Sequence, residues 1–221
     1  MQSKVAENWL TSRKRGFFDQ IKDKISRSPS PPMRQRIASA RHRLTLQSTK
    51  LDSNVSRLTE RDRKMFDKCV KARMEKDTSR ATMYANECAE IRKVTKIVIR
   101  SQLALEQVSL RLETVEDLGN ILVSMAPVVG VLRETKGSLT GVLPEVASEL
   151  GHVNDMLSDT VMSAGGLSTK EINVEATEEA QKIIQEANVV AEQRIKEHFP
   201  ELPTGLPIIP ENLQKASHQE K

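Results

Sequence analysis

Six cations, Arg36, Arg43, Lys50, Arg57, Lys64 and Lys71, recur at intervals of seven residues, and Arg61 and Lys68 fill the gaps between the later ones. On an α-helix this spacing returns to one face every two turns, so the charges sum into a continuous band. The chemistry open to such a band is electrostatic, the attraction of an anionic surface or of an acidic segment of polypeptide. A plain solvated helix face is the simpler alternative. Against it, most of these positions lack a carboxylate four residues away to neutralise them.

The other reactive side chains are not grouped for catalysis or coordination. His42, His152, His198 and His218 are dispersed, and Cys69 and Cys88 lack the close spacing of a zinc or redox motif. The cysteines read as buried thiols of a reducing compartment. No phosphate loop or dinucleotide glycine pattern occurs. The expectation is a protein without enzymatic activity, metal or cofactor.

Two further segments carry recognition chemistry. In the N-terminal arm, Arg13, Lys14, Arg15, Phe17, Phe18, Ile21 and Lys22 join apolar and cationic side chains at helical spacing, with Trp9 further back. Such a segment suits an anionic membrane interface, each nearby cation adding roughly 1 kcal/mol, and equally suits packing against the hairpin or a neighbour. Near the other end, ELPTGLPIIPENL (201–213) places three prolines within nine positions. Proline lowers the entropy lost when an extended peptide docks, and Leu202, Leu206, Ile208 and Ile209 can fill apolar pockets.

Composition indicates what holds these segments. Of 221 residues, 3% are aromatic and 29% charged, a balance suited to long amphipathic helices rather than a thick core. The net charge of +4 hides a division: residues 1–100 carry +14 and the remainder −10. The longest strongly apolar uncharged window, 118–132, has 15 residues and contains Pro127 and two glycines. Spanning a bilayer needs about 20. The N-terminus shows no secretory signal, so a cytoplasmic protein is expected.

Residues 33–118 contain neither Gly nor Pro. Ile37, Leu44, Leu51, Leu58, Met65 and Ala72 recur every seven, with Val55 and Cys69 widening the seam. Tyr84, Cys88, Ile91, Thr95, Val98, Gln102, Leu105, Ser109 and Leu112 then alternate four and three apart. Between them lies a polar interval, 75–79, in which Asp77, Thr78 or Ser79 can cap the second helix. The pattern predicts an all-α fold built on a long antiparallel hairpin, opened by a first turn at Ser28–Pro32. A turn centred near residue 78 puts Cys69 and Cys88 at one level of the seam, within reach of mild oxidation, although two small core residues with no redox role are the preferred reading.

Beyond Gly119, the residues Pro127, Gly130, Gly137, Gly141 and Pro144 predict short helical pieces on flexible joints. One of these carries Val146, Leu150, Val153 and Leu157. After Gly165-Gly166 a possible capping box, Ser168–Glu171, opens an acidic helix with Ala176, Ala180, Ile183, Ala187, Val190 and Ile195 on one face. Its negative side is the internal candidate to cover the basic band. The organisation is thus a basic arm (1–30), a helical core (31–165, hairpin about 31–118 and short helices about 119–163), an acidic regulatory helix (166–199) and a flexible Pro-rich tail (200–221).

Three stretches, PPMRQRIASARHRLTLQSTKLDS (31–53), MYANECAEIRKV (83–94) and PEVASELGHVNDMLSDTVM (144–162), resemble the ESCRT-III family and specifically its archaeal cell-division CdvB group. The resemblance implies an ESCRT-III-like cytosolic subunit, peripherally membrane-associated at the division site, that polymerises with itself and with related subunits. It also implies that the acidic C-terminal region holds a closed form. In this light Leu202, Pro203, Leu206, Pro207, Ile208, Ile209 and Pro210 resemble the motif by which such tails dock on the MIT domain of an AAA ATPase. About 20 residues follow Pro200, too few for the C-terminal winged helix of some members, so the chain looks like a shorter paralogue. A basic coiled coil that binds nucleic acid is the alternative; the shortage of aromatics near the cations argues against it.

Overall fold

A computed structural model describes residues 31–118, 121–163 and 171–202. They form five α-helices: α1 (Met33–Met74), α2 (Thr78–Leu118), α3 (Ile121–Leu139), α4 (Pro144–Ser163) and α5 (Glu171–His198). Pro31 and Pro32 stand before α1 rather than inside its first turn. Pro32 has φ −51° and ψ 145°, and its carbonyl accepts from the Arg36 N–H at 3.2 Å.

α1 and α2, of 42 and 41 residues, make the expected antiparallel hairpin, each arm about 60 Å long. The reversal is built from two caps. Asp77 N–H donates to the Ala72 carbonyl at 2.9 Å and Lys76 N–H to that of Arg73 at 3.1 Å, with Lys76 left-handed at φ 59°. This pattern closes α1 as a Schellman motif. Asp77 then starts α2, its Oδ1 accepting from the Arg80 N–H at 3.0 Å.

This compact reversal corrects the expected register. Cys69 Sγ donates to the Ala81 carbonyl at 3.3 Å, whereas Cys88 Sγ faces the Asp62 carbonyl at 3.9 Å. The turn is therefore centred near residue 75, not 78. Cys88 sits level with a residue seven positions before Cys69 on α1, an offset of about 10 Å. The two thiols are free, and that separation exceeds disulfide reach.

The half of the hairpin away from the turn is thickened by the later helices. α3 runs back along α2, with Arg100 Nη2 donating to Ser138 Oγ at 2.5 Å, and α4 runs antiparallel to α1, Arg43 lying beside Glu149 and Arg36 beside Asp159. Their apolar faces enclose Ile37, Leu44 and Leu51 of α1, Leu105, Val108 and Leu112 of α2, Val128 and Leu132 of α3, and Val146, Leu150, Val153 and Leu157 of α4. Toward the turn, Val55, Leu58 and Met65 are only half-buried, because there the seam lacks the second layer. Pro127, Gly130 and Gly137 do not divide the chain into pieces; all three lie inside one continuous α3. Only Gly141 falls in a connection, and Pro144 opens α4 as expected.

α5 folds back against α2 and α3. Ala180, Ile183 and Ala187 are buried as predicted, together with Ile184 and Ala191; Val190 is exposed instead, Ile195 half-buried, and the Ala176 side chain lies outside the described residues. Gly130 allows the approach to α3, since a Cβ there would stand 3.0 Å from Ala180 Cβ. The expectation that this acidic helix covers the basic band is corrected: among the described residues α5 does not touch α1. Its apolar stripe fits the groove between α2 and α3, and its carboxylates meet the cations of α2.

Candidate functional site

α1 holds twelve Lys and Arg against four Asp and Glu, and its basic band divides into two parts. The first two members lie beside α4, which carries Glu145, Glu149, Asp155 and Asp159 and no Lys or Arg. Arg43 Nη1 meets Glu149 Oε1 at 3.0 Å, and Arg36 shares a cleft with His42, Met156 and Asp159. Lys50, Arg57, Arg61, Lys64, Lys68 and Lys71 are exposed. A shallow groove runs along Arg57, Arg61, Lys64 and Lys68 beside Met65.

Local partners orient these cations without cancelling the field. Arg57 donates to Asn54 at 3.0 Å, Arg61 meets Glu87 at 2.5 Å, Lys64 meets Glu60 at 3.3 Å, and Lys68 lies 5.9 Å from the Tyr84 ring centroid. Lys50 and Lys71 have no carboxylate partner among the described residues. Met74 and Met83, near the turn, add exposed apolar surface to this end of the rod.

The second notable place lies where α5 ends. Asp62 is buried in the hairpin seam, and its two oxygens accept from Arg92 Nε at 2.9 Å and Nη2 at 3.0 Å. The remaining guanidinium nitrogen, Nη1, donates to the Pro200 carbonyl at 2.7 Å, while the buried Phe199 ring centroid lies 5.3 Å from Arg92 Cζ. One side chain thus joins α1, α2 and the end of α5. Further along, Lys96 meets Glu192 at 2.6 Å and Arg111 pairs with Glu179. The Lys96 ammonium, through its hydrogen bond and its charge, holds Glu192 below its ordinary carboxylate value.

The thiols are shielded rather than activated. Burial, reinforced by the Asp62 carboxylate, pushes Cys88 up to about 12; burial also raises Cys69, against an opposing pull from Arg73. Both stay protonated at neutral pH. Among the described residues there is no group of three His, Cys, Asp or Glu placed to hold a metal ion, and no helix is long and apolar enough to cross a membrane.

The sequence reading overlooked Asp62, Arg92 and Phe199. A signal existed: Asp62 fills the missing position in the run Leu51, Val55, Leu58, Met65, Cys69, Ala72, so a carboxylate at an apolar seam position called for a cation across the hairpin. Of the predicted tail contacts, Leu202 is described and half-buried; Pro203, Leu206, Pro207, Ile208, Ile209 and Pro210 lie outside the described residues. So do Trp9, Arg13, Lys14, Arg15, Phe17, Phe18, Ile21 and Lys22 of the arm.

Comparison with known proteins gives a consistent set of relatives. The chain is 48% identical over 185 residues to Cell division protein B1 of Sulfolobus acidocaldarius, covering 83% of this chain and 86% of that protein. It is 36% identical over 174 residues to Cell division protein B of the same organism, covering 78% and 67%. To Cell division protein B3 it is 29% identical over 116 residues, covering 52% and 68%. No family model and no solved structure matches.

Proposed function

Since this chain belongs to the CdvB group of archaeal cell-division proteins, we propose that it is a non-enzymatic, filament-forming subunit of the ESCRT-III kind that remodels membrane during division. The relatives' names support a role in archaeal cell division, and the presence of several related proteins in one organism favours assembly with such subunits as well as with itself.

The observation that carries the reading is a rigid two-helix rod whose basic band is uncovered toward the turn, while a separate acidic helix is folded back on its other helices. A surface of one sign on a rod attracts an anionic lipid surface or the acidic helices of neighbouring copies. Back-folding of α5 keeps part of α2 and α3 from neighbours, which suits a closed subunit that opens to assemble. The arm at Trp9–Lys22 adds a membrane contact, and the tail from Leu202 to Pro210 docks on the MIT domain of an AAA ATPase that dismantles the polymer.

Sedimentation of the purified chain against a version ending at Leu167 tests the core of this reading. The shortened protein should pellet as filaments, visible by negative stain, under conditions where the full chain stays in the supernatant. An unchanged monomer rejects the closed subunit.

A further inference from the structure

Ser, Thr and Asn make up seven of the fifteen residues 45–59 of α1, whereas 33–44 hold only Ser39 and 60–74 hold none. On three successive turns a hydroxyl donates to the carbonyl four residues back: Thr45 to Arg41 at 3.1 Å, Thr49 to Thr45 at 3.0 Å and Ser53 to Thr49 at 3.2 Å. The Asn54 amide does the same to Lys50 at 2.8 Å. Such bonds compete with the helical ladder for its own acceptors and bend helices, the solvent side becoming convex. Thr45, Thr49 and Ser53 are exposed, on the side of α1 turned away from the buried Leu44 and Leu51.

The same stretch is where the second layer ends. Arg43 pairs with Glu149, so α4, running antiparallel, starts at Pro144 level with Ser48. Arg100 bonds Ser138, and α3 stops one residue later at Leu139. Arg41 meets Glu113 and Asp62 meets Arg92, an alignment that sets residues 53–59 of α1 opposite 95–101 of α2. There α2 contributes two buried hydroxyls, Thr95 donating to the Ile91 carbonyl at 2.7 Å and Ser101 to that of Ile97 at 2.8 Å. Val55 and Leu58 are only half-buried. Beyond them the Asp62–Arg92 pair fastens the two arms together again. α5 lies along α2, which leaves α1 as the open flank.

From this coincidence we infer that residues 48–59 of α1 are a bending segment, about which the two-helix distal part of the rod swings relative to the layered base, with α1 on the outside of the curve. As the outer side stretches and its amide bonds lengthen, each hydroxyl keeps its carbonyl partnered, so bending leaves no orphaned acceptor. On the function proposed above, this lets one subunit follow membranes of different curvature; the segment itself does not depend on that reading.

The test uses the full chain and its variant Thr45→Ala/Thr49→Ala/Ser53→Ala. In the wild type, amides of 49–57 should exchange faster than those of 40–47 and of 62–70, a mid-helix maximum that fraying from the turn cannot produce. The variant should slow them about tenfold, the combined effect of three gains in helix propensity. Spin labels on Glu134→Cys of α3 and Met74→Cys beside the turn, both exposed positions, read the base-to-tip distance, the native thiols being buried. Its distribution should be broad in the wild type and narrower in the variant. Exchange that rises steadily toward the turn, or a distribution equally broad in both proteins, overturns the bending segment. A chain that bends in this way yet neither assembles nor sediments with anionic vesicles keeps the segment and removes its proposed use.

Discussion

Asp62 and Arg92 face each other across the hairpin seam in a two-pronged ion pair, with oxygen–nitrogen distances of 2.9 and 3.0 Å and 2% and 14% of their side chains exposed. Removing one partner strands the other, and an uncompensated buried charge costs about 3–5 kcal/mol. Arg92→Ala should thus lower unfolding stability by that order. The double variant Asp62→Leu/Arg92→Leu, which replaces the pair with apolar packing, should regain most of it. A chemical-denaturation double-mutant cycle measures the difference; equal losses in the single and double variants contradict the account.

The turn permits an opposite prediction. Lys76 holds φ 59°, a region in which glycine carries no side-chain penalty. Lys76→Gly should stabilise the hairpin by up to about 1 kcal/mol. Asp77→Ala, which deletes the acceptor for the Arg80 N–H, should cost about 1 kcal/mol. Denaturant midpoints of the two variants should move in opposite directions.

These residues show how far the sequence reached. Heptad spacing revealed the hairpin and α4, because burial of an apolar stripe is a local, periodic requirement. The register escaped by about three residues, since the left-handed turn residue is a lysine rather than a glycine that would have marked it. The destination of α5 escaped as well: charge complementarity suggested the α1 band, yet the groove between α2 and α3 accepts its Ala180–Ala191 stripe and the facing cations Lys96 and Arg111 are on α2. Charge alone ranks surfaces; shape decides among them.

Acid should loosen α5. Because Lys96 holds Glu192 below its ordinary value of 4.5, the pair's contribution is present above that value and is lost as pH falls through it and on through the depressed one. Corrected for intrinsic rates, α5 amides near residue 192 should exchange faster relative to those of α1 as pH drops in that range. Glu192→Gln should abolish the pH dependence and leave faster exchange throughout.

The thiols supply a measure of register. Cys69 faces Ala81 and Cys88 faces Asp62, so mild oxidation of folded monomer should leave both reduced. Maleimide labelling should be slow for both and should follow unfolding as denaturant is added, because burial suppresses each thiol's ionisation and blocks access. An intramolecular disulfide formed without denaturant would restore the register centred near residue 78.

Reversal of charge separates the two parts of the α1 band. Arg57, Lys64 and Lys71 are exposed toward the turn, away from α4 and α5, so changing all three to Glu should leave helicity and stability nearly unaltered while weakening sedimentation with anionic vesicles or with neighbouring subunits. Arg43→Glu acts differently. It sets a second carboxylate beside Glu149, so α4 should detach more readily from α1, seen as faster amide exchange in α4. Higher salt should mimic the triple change, because exposed charges are screened beyond about 8 Å at physiological ionic strength and over shorter distances above it. Binding that withstands both salt and reversal would assign the distal cations to solvation alone.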